Sequence, residues 1–342
     1  MSLARILAAG ALALSLAASP AAQAGLGDAL NRIGDGLAKT RERLSAGIGK
    51  TIGGLTDGLG TTLSRLGQRH LDPTEGTVAV ADAVEHQGVA RPLLIIEPAA
   101  ASVEKAPLVV LLHYSGGNAE VMANVARAGR LAAQYGAWIV LPEATNGHWE
   151  DDPAAWSSSG DVEFLAKVIA HMSSAYPIDA KRIYMAGMSN GGFMTVRFAC
   201  EKANLVAAIA VDAATMRNSQ NAACKPSRPV PIVSILGTRD LFVPYVNSLG
   251  MLNAEENYAR WSAINGCNAA SRTDTTLTPT VKDRTTIKLR ENYDCSGGSA
   301  VNLYTVVNGG HAWPGSQTPI AVGHTSQNLD ATEAIWNFFS QF

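Results

Sequence analysis

The fold follows from one stretch of the chain, Ile183-Tyr184-Met185-Ala186-Gly187-Met188-Ser189-Asn190-Gly191-Gly192. An apolar run that predicts a short buried strand leads into a Gly-x-Ser-x-Gly turn, and helical spacing follows from Phe193 to Cys200. This order is typical of a nucleophile elbow, which presents a serine hydroxyl above the end of a sheet. We predict a strained backbone at Ser189, at a helix N-terminus where free N–H groups favour negative charge. Gly187 and Gly191 must lack side chains because the tight turn brings them together.

Length and composition limit the classes of protein to consider. The 342 residues suffice for one large α/β domain and an appendage, and an apolar content of 47% supports a sizeable core. A net charge of -2 offers no basic surface, so we expect no nucleic-acid partner. The spacing of cysteine and histidine does not favour a metal site, and we expect neither a metal nor an organic cofactor.

The N-terminus has the pattern of a secretory signal peptide. Arg5 supplies a positive charge, residues 6–18 are apolar, and the small residues Ala22 and Ala24 mark a cleavage region. The apolar run is shorter than the ~20 residues that a membrane-spanning helix needs. We therefore predict a signal peptide over residues 1–24, a secreted or periplasmic location and no transmembrane segment.

Residues 25–72 differ in composition from the rest of the chain. Leucine and isoleucine recur at steps of three or four residues, which predicts an amphipathic N-terminal helical appendage. Scattered glycines weaken this helix by about 1 kcal/mol each. The segment is interpreted either as a surface that docks on a membrane or an insoluble substrate through residues 25–70, or as a pro-segment or tether. The catalytic domain is expected over residues 73–342.

Strands and helices alternate in that domain. The apolar runs Leu108–Leu112 and Ala137–Leu141 predict central strands that are covered on both faces. The other predicted elements are a hairpin over 77–97, one helix up to Tyr135, a helix over 161–174, strands at 183–186, 205–211, 231–236 and 301–306, and a last helix at 331–339. This alternation predicts an α/β fold with a mostly parallel central sheet and helices on both faces. Catalytic groups then belong on loops at the carboxyl ends of strands.

Two further side chains would complete a catalytic constellation with Ser189. In folds of this kind the chain order is Ser, acid, His. Asp240 follows a predicted strand, and Asp212 is the alternative acid, one strand earlier. His311 follows the last predicted strand, and His324 is its competitor. His311 would accept the serine proton while the acid orients the imidazole and stabilises the imidazolium.

The tetrahedral intermediate requires two backbone donors for its oxyanion. Asn190 N–H, directly after the nucleophile, is the first predicted donor. The second is expected from the loop His113-Tyr114-Ser115, where we choose Ser115 N–H and keep Tyr114 N–H as the alternative. His113 is assigned to the substrate site, with support of this loop as the alternative.

Aromatic side chains are the other predicted substrate contacts. Trp149 and Trp156 lie in a long loop on the predicted catalytic side, and Trp313 follows His311 by two residues. Aromatic walls suit an acyl chain, a phenolic ring or a sugar, and core packing is the alternative for each tryptophan. The acidic run Glu150-Asp151-Asp152 is interpreted as a solvated loop rather than a cation site.

The cysteines form an even set that fits an oxidising compartment. Its members are Cys200, Cys224, Cys267 and Cys295. They permit three connectivities, and the residues alone leave the pairing open.

The chain resembles the secreted polyhydroxybutyrate depolymerase and feruloyl esterase group of the α/β-hydrolases, from about Leu93 to Phe342. The motifs that carry the resemblance are Leu112-His113-Tyr114-Ser115-Gly116-Gly117-Asn118-Ala119, Gly187 to Gly192, Gly237 to Tyr245, Trp261 through Asn265-Gly266-Cys267, and Gly309-Gly310-His311-Ala312-Trp313-Pro314-Gly315. The last motif is the most specific.

The resemblance implies the α/β-hydrolase fold, the triad Ser189, Asp240 and His311, and pairing of Cys267 with Cys295 and of Cys200 with Cys224. The chain departs from the family at Tyr114, where the family usually has glycine, so we expect the phenol ring to line the acyl pocket. The resulting expectation is a secreted serine esterase that acts on a polyhydroxyalkanoate polyester or its oligomers. The alternatives are a feruloyl or acetyl esterase acting on plant polysaccharide, a serine peptidase and a non-catalytic binding protein.

Overall fold

The computed structural model describes residues 77–98, 104–153, 160–246, 250–318 and 322–342. The predicted signal peptide, the segment 25–72 and the expected domain boundary at residue 73 lie outside the described residues, as does Trp156. No helix within the described ranges is long and apolar enough to cross a membrane.

Ten strands within the described residues form one sheet. Their bounds are β1 Val78–His86, β2 Val89–Glu97, β3 Ala106–Leu112, β4 Trp138–Pro142, β5 Ile178–Met188, β6 Ala208–Asp212, β7 Ile232–Gly237, β8 Thr273–Thr276, β9 Thr286–Asn292 and β10 Val301–Val307. Their order across the sheet is β1-β2-β4-β3-β5-β6-β7-β10-β9-β8. The strands from β4 to β10 in this order run parallel, and antiparallel partners flank them at both edges. The predicted mostly parallel sheet is confirmed.

Helices cover both faces of the sheet, as predicted. The helices are α1 Ala119–Val125, α2 Gly129–Tyr135, α3 Asp161–Ala175, α4 Asn190–Glu201, α5 Asn218–Ala223, α6 Ala254–Ile264 and α7 Ala331–Phe339. Strand β3 shows how the layers form, because successive side chains of a strand point to opposite faces. Leu108, Val110 and Leu112 pack in a cluster with α3, α4 and α6, whereas Val109 and Leu111 pack with α1, α2 and α7.

Two details of the secondary structure differ from the prediction. The single helix expected up to Tyr135 is wrong: α1 and α2 are separate, because Arg127 between them has a φ of 50° that a right-handed helix does not permit. Strands β8 and β9 and helices α5 and α6 were not predicted. Every residue of β8 is exposed, so this edge strand has no apolar alternation that would reveal it.

Candidate active site

The elbow is formed at the junction of β5 and α4. Ser189 has φ 53° and ψ -120°, a positive-φ conformation outside the regions that a non-glycine residue ordinarily adopts, which confirms the predicted backbone strain. A Cβ added to Gly187 would overlap the carbonyl of Gly191, and one added to Gly191 would lie 2.5 Å from His113 O. Both positions therefore require glycine. Ser189 N–H donates to Asp212 O at 2.8 Å, and the serine residue is only partly buried.

The structure brings Asp240 and His311 into contact. They follow β7 and β10, which are neighbouring parallel strands, so their loops meet at the same edge of the sheet as the elbow. His311 Nδ1 lies 2.8 Å from Asp240 Oδ2. The other carboxylate oxygen, Oδ1, accepts from Phe242 N–H at 2.8 Å and Val243 N–H at 2.9 Å. These bonds fix the carboxylate so that it can orient the imidazole of His311.

Glycine permits the close approach of these two loops. A Cβ on Gly237 would lie 2.5 Å from both Gly309 O and Gly310 O. Because this position has no side chain, Arg239 N–H donates to Gly309 O at 2.8 Å. The acid loop and the histidine loop are thereby joined through their backbones.

The two rival residues occupy neighbouring places but do not form this pair. Asp212 ends β6 and is buried, and its Oδ2 has no hydrogen-bond partner among the described residues. Burial first, and then the nearby Asp240 carboxylate, raise the pKa of Asp212 well above its usual value, which favours its protonated form relative to a solvated aspartate. His324 contributes its carbonyl, which accepts from Gly310 N–H at 2.8 Å, and so supports the loop of His311.

The loop after β3 contains the predicted second oxyanion donor. Gly116 N–H donates to Gly147 O at 2.8 Å and Gly117 N–H donates to Tyr114 O at 2.9 Å, so these two donors are already engaged. Ser115 Oγ lies 2.9 Å from His148 Nδ1. The Tyr114 ring is buried and packs against Gly117, where a Cβ would lie 3.2 Å from Tyr114 Cζ. This burial does not test the expectation that the phenol lines an acyl pocket, which stays a prediction.

His113 lies beneath this loop rather than on a substrate surface. Its Nδ1 lies 2.7 Å from Tyr114 O, to which it donates, and its Nε2 accepts from Ala144 N–H at 3.1 Å. Burial lowers the pKa of His113 to about 4, so the ring is neutral at pH 7. The prediction of substrate contact is contradicted because the side chain is fully buried and both ring nitrogens are engaged. The alternative, support of the loop, describes its position.

The two described tryptophans of the predicted substrate site are also buried. Trp149 is 3% exposed and donates its indole N–H to His113 O at 2.9 Å. Trp313 is 2% exposed and donates its indole N–H to Thr332 Oγ1 at 3.0 Å. The structure contradicts substrate contact for both, since the surfaces of both rings are buried by packing in the core. Trp156 lies outside the described residues.

Buried ion pairs hold the loop between β4 and α3, residues 143–153 of the described chain. Arg91 Nη1 donates to Asp161 Oδ1 at 2.6 Å, and Glu150 N–H donates to the other oxygen, Oδ2, at 2.7 Å. Arg217 Nη2 donates to Asp151 Oδ2 at 2.7 Å, although burial raises the pKa of this carboxyl. The interpretation of the acidic run as a solvated loop is therefore wrong for Asp151. Sequence reasoning missed these arginines because each is distant along the chain from its partner.

Two disulfides are formed by the four cysteines. Cys200 at the end of α4 is bonded to Cys224 just beyond α5. Cys267 beyond α6 is bonded to Cys295 beyond β9. These are the pairs that the resemblance implies.

Residues 92–226 match the family described as Esterase PHB depolymerase. Feruloyl esterase B from Piromyces equi is 30% identical over 222 residues, which are 60% of this chain and 40% of that protein. Poly(3-hydroxybutyrate) depolymerase from Ralstonia pickettii is 28% identical over 241 residues, 65% of this chain and 43% of that protein. The chain thus spans less than half the length of these two relatives.

Solved structures show the same architecture. The acetyl xylan esterase from Aspergillus awamori has a TM-score of 0.53 and 15% identity, over 78% of this chain and 99% of that chain. A feruloyl esterase module from Clostridium thermocellum, complexed with sinapinate, has a TM-score of 0.54 and 14% identity, over 80% of this chain and 90% of that chain. At these identities the likeness establishes the fold alone, and the fold is that of the α/β-hydrolases.

Proposed function

We propose that this chain, an α/β-hydrolase that matches the Esterase PHB depolymerase family over residues 92–226, hydrolyses carboxylic esters with Ser189 as its nucleophile. One observation carries the proposal. The bond of 2.8 Å between His311 Nδ1 and Asp240 Oδ2 lies at the same sheet edge as the strained elbow of Ser189. A serine hydroxyl needs such a base, and the base needs such an orienting carboxylate.

The proposed reaction has two halves. In the first, Ser189 Oγ attacks the ester carbonyl carbon while His311 Nε2 takes the hydroxyl proton, and Asp240 stabilises the imidazolium. The tetrahedral intermediate collapses when the bond to the alcohol oxygen breaks, and the alcohol leaves with the proton from His311. In the second half, water gives a proton to His311 Nε2 and attacks the acyl carbon. The bond between that carbon and Ser189 Oγ then breaks, His311 returns the proton to Oγ, and the acid is released.

Two backbone donors are proposed for the oxyanion, Asn190 N–H and Ser115 N–H. Asn190 begins α4, so its N–H has no acceptor within the helix and the helix dipole favours negative charge there. In the loop after β3, Gly116 N–H and Gly117 N–H are engaged, and we keep Ser115 N–H as the proposed donor with Tyr114 N–H as its alternative. The loss of one such donor typically costs about 10²–10³ in rate.

The proposed substrate is a hydroxyalkanoate polyester or its oligomers, and the second candidate is a feruloyl or acetyl ester on plant polysaccharide. The first is supported by the similarity to the Ralstonia pickettii depolymerase, and the second by the Piromyces equi feruloyl esterase. Export is proposed from the signal-like N-terminus and is supported by two disulfides. Surface docking through residues 25–70 remains part of the proposal for a polymeric substrate.

Turnover of three substrates by the protein and by Ser189→Ala tests the proposal. The substrates are p-nitrophenyl acetate, methyl ferulate and a suspension of polyhydroxybutyrate. We expect Ser189→Ala to lose at least about 10³-fold in kcat/KM with unchanged folding. Clearing of the suspension favours the polyester, and release of ferulate without clearing favours the plant ester.

Two histidine variants complete the experiment. His311→Ala is expected to lose activity as deeply as Ser189→Ala. His324→Ala is expected to remain active, because its only described role near the site uses a carbonyl that the substitution keeps. Retained hydrolysis by Ser189→Ala would contradict the mechanism, and equal losses in the two histidine variants would contradict the choice of base.

A further inference from the structure

Trp149 contacts both halves of the proposed oxyanion hole. Its backbone is clamped to the side chain of Asn190, since Trp149 N–H donates to Asn190 Oδ1 at 2.7 Å and Asn190 Nδ2 donates to Trp149 O at 3.0 Å. Asn190 is the residue whose own backbone N–H is the first proposed donor. The clamp therefore joins residues 143–153 to the N-terminus of α4.

The indole of Trp149 contacts the other half of the proposed oxyanion hole, the loop after β3 that contains Ser115. Trp149 Nε1 donates to His113 O at 2.9 Å, and the ring lies against the His113 imidazole with 5.2 Å between centroids. His113 directly precedes Tyr114 and Ser115, so this bond fixes the start of the loop that bears the second proposed donor. The two halves have no shared backbone, and Trp149 bridges them.

The segment that bears Trp149 is itself anchored. On one side Gly147 O accepts from Gly116 N–H at 2.8 Å, which ties the segment to the second half once more. On the other side Asp161 accepts from Glu150 N–H at 2.7 Å and pairs with the buried Arg91. Because hydrogen bonds hold the segment on both sides of Trp149, this residue can in turn hold the two proposed oxyanion donors, Asn190 N–H and Ser115 N–H, in position.

We propose that Trp149 is a positioning residue that sets the separation of the two oxyanion donors, an inference that rests on the proposed function. Donors stabilise the transition state only when they lie about 2.7–3.1 Å from the developing oxyanion. A displacement of about 1 Å from such geometry can cost 10²-fold in rate. Loss of the indole bond would also remove the donor that the described residues supply to the buried carbonyl of His113, which favours movement of that loop.

The variant Trp149→Phe tests this role because it keeps an aromatic ring and removes the N–H. We expect kcat to fall by about 10- to 100-fold while KM stays within about threefold, since the bond acts on transition-state stabilisation. A boronic acid that forms a tetrahedral adduct with Ser189 should bind more weakly by the same factor as kcat/KM falls. Asn190→Ala keeps its backbone N–H and breaks the clamp, and it should show the same decrease in kcat and in boronic acid affinity with little change in KM. This variant replaces Trp149→Phe in the experiment if Trp149→Phe does not fold.

Tyr184→Phe is the matched control. It removes one partly buried hydrogen bond, from Tyr184 Oη to the carbonyl of the C-terminal residue, Phe342 O, at 2.7 Å. We expect Trp149→Phe and Tyr184→Phe to show a similar decrease in the midpoint of thermal unfolding, whereas kcat is expected to stay unchanged in Tyr184→Phe.

Three results would overturn the inference. They are wild-type kcat and boronate affinity in both Trp149→Phe and Asn190→Ala, an increase in KM alone, or an equal decrease of kcat in Tyr184→Phe. If the wild-type protein is active and Ser189→Ala is inactive, such a result rejects only the role of Trp149. If the wild-type protein hydrolyses no ester, or Ser189→Ala stays active, the proposed function itself fails.

Discussion

The elbow at Ser189 and the loop over residues 143–153 lie next to each other and are held by different forces. The elbow is fixed by repulsion between backbone atoms, because Gly187 and Gly191 leave no space for a Cβ. The loop is fixed by attraction between buried charges, and Arg91 lies 70 residues from its partner Asp161. One part of the site thus depends on glycines that have no Cβ, and its neighbour depends on charged side chains from distant elements.

The two kinds of support respond differently to substitution. A Cβ added at Gly191 in the elbow cannot be relieved by a side-chain shift, since the atoms it would overlap are main-chain carbonyls of β3 and the following loop. A substitution that neutralises one charge of a buried pair keeps the shape of the side chain but leaves the opposite charge buried and unpaired. This lowers the stability of the folded protein, because the remaining charge has lost its hydration.

The largest effect is expected for Gly191→Ala. Its Cβ would lie 2.5 Å from His113 O and closer still to Leu112 O. We expect a loss of more than about 3 kcal/mol in the free energy of unfolding, at or beyond the usual range for overpacking, together with loss of esterase activity. Urea denaturation and turnover of p-nitrophenyl acetate measure the two effects.

Gly136→Ala is the control for Gly191→Ala. Gly136 has a φ of 66° and no atom within 4 Å of an added Cβ, so only backbone strain opposes the substitution. That strain is worth about 1–2 kcal/mol. Equal losses of stability in the two variants would show that steric overlap does not hold the elbow.

A smaller effect is expected for Asp161→Asn in the loop region. The substitution keeps the shape of the side chain but leaves the guanidinium of Arg91 buried without its carboxylate. Breaking a buried pair in this way costs about 3–5 kcal/mol at most, and the remaining bond from Arg91 to Glu143 O at 2.9 Å reduces the loss. Urea denaturation should show a destabilisation of about 2–3 kcal/mol, and kcat should fall as the loop loosens.

Asp179→Asn provides the exposed counterpart of that variant. Its ion pair with Arg182 is 2.8 Å long but lies largely in water, so its removal should cost less than about 1 kcal/mol. If Asp161→Asn were no more destabilising than Asp179→Asn, the buried pair would not be what holds the loop.

The smallest effect concerns Asp212, whose backbone supports Ser189. The folded state raises the pKa of this carboxyl above the usual 3.8, so above that pH the unfolded chain loses a proton that the folded chain keeps. The contribution of Asp212 to the stability of the wild-type protein therefore decreases as pH rises from about 4, whereas the amide introduced by Asp212→Asn is neutral in both states. We expect the stability of Asp212→Asn relative to the wild-type protein to be greater at pH 7 than at pH 4. Urea midpoints at the two pH values that move in parallel for both proteins would contradict this.

The same contrast explains what the sequence predicts. The elbow and the central strands depend on local patterns, so the strain at Ser189 and the strand β3 could be predicted from neighbouring residues. The positions of Asp240 and His311 followed from strand ends, because parallel strands bring their carboxyl ends to one edge.

The loop could not be predicted in this way. Trp149 in an unpaired stretch looks like an exposed aromatic, and its burial depends on His113 O and Asn190, which other strands position. Arg91 in β2 carries no local signal that Asp161 will be its partner. Tyr114 is buried for the same reason, since the space it fills is made by elements that lie far away in the sequence.

Reaction with a fluorophosphonate, followed by mass spectrometry of the peptides, would identify the nucleophile. We expect one adduct, on Ser189, that forms in step with loss of esterase activity. We also expect His311→Ala to slow the labelling greatly and Ser189→Ala to abolish it. Inactivation with the adduct on another residue, or undiminished activity after complete labelling of Ser189, would contradict the account.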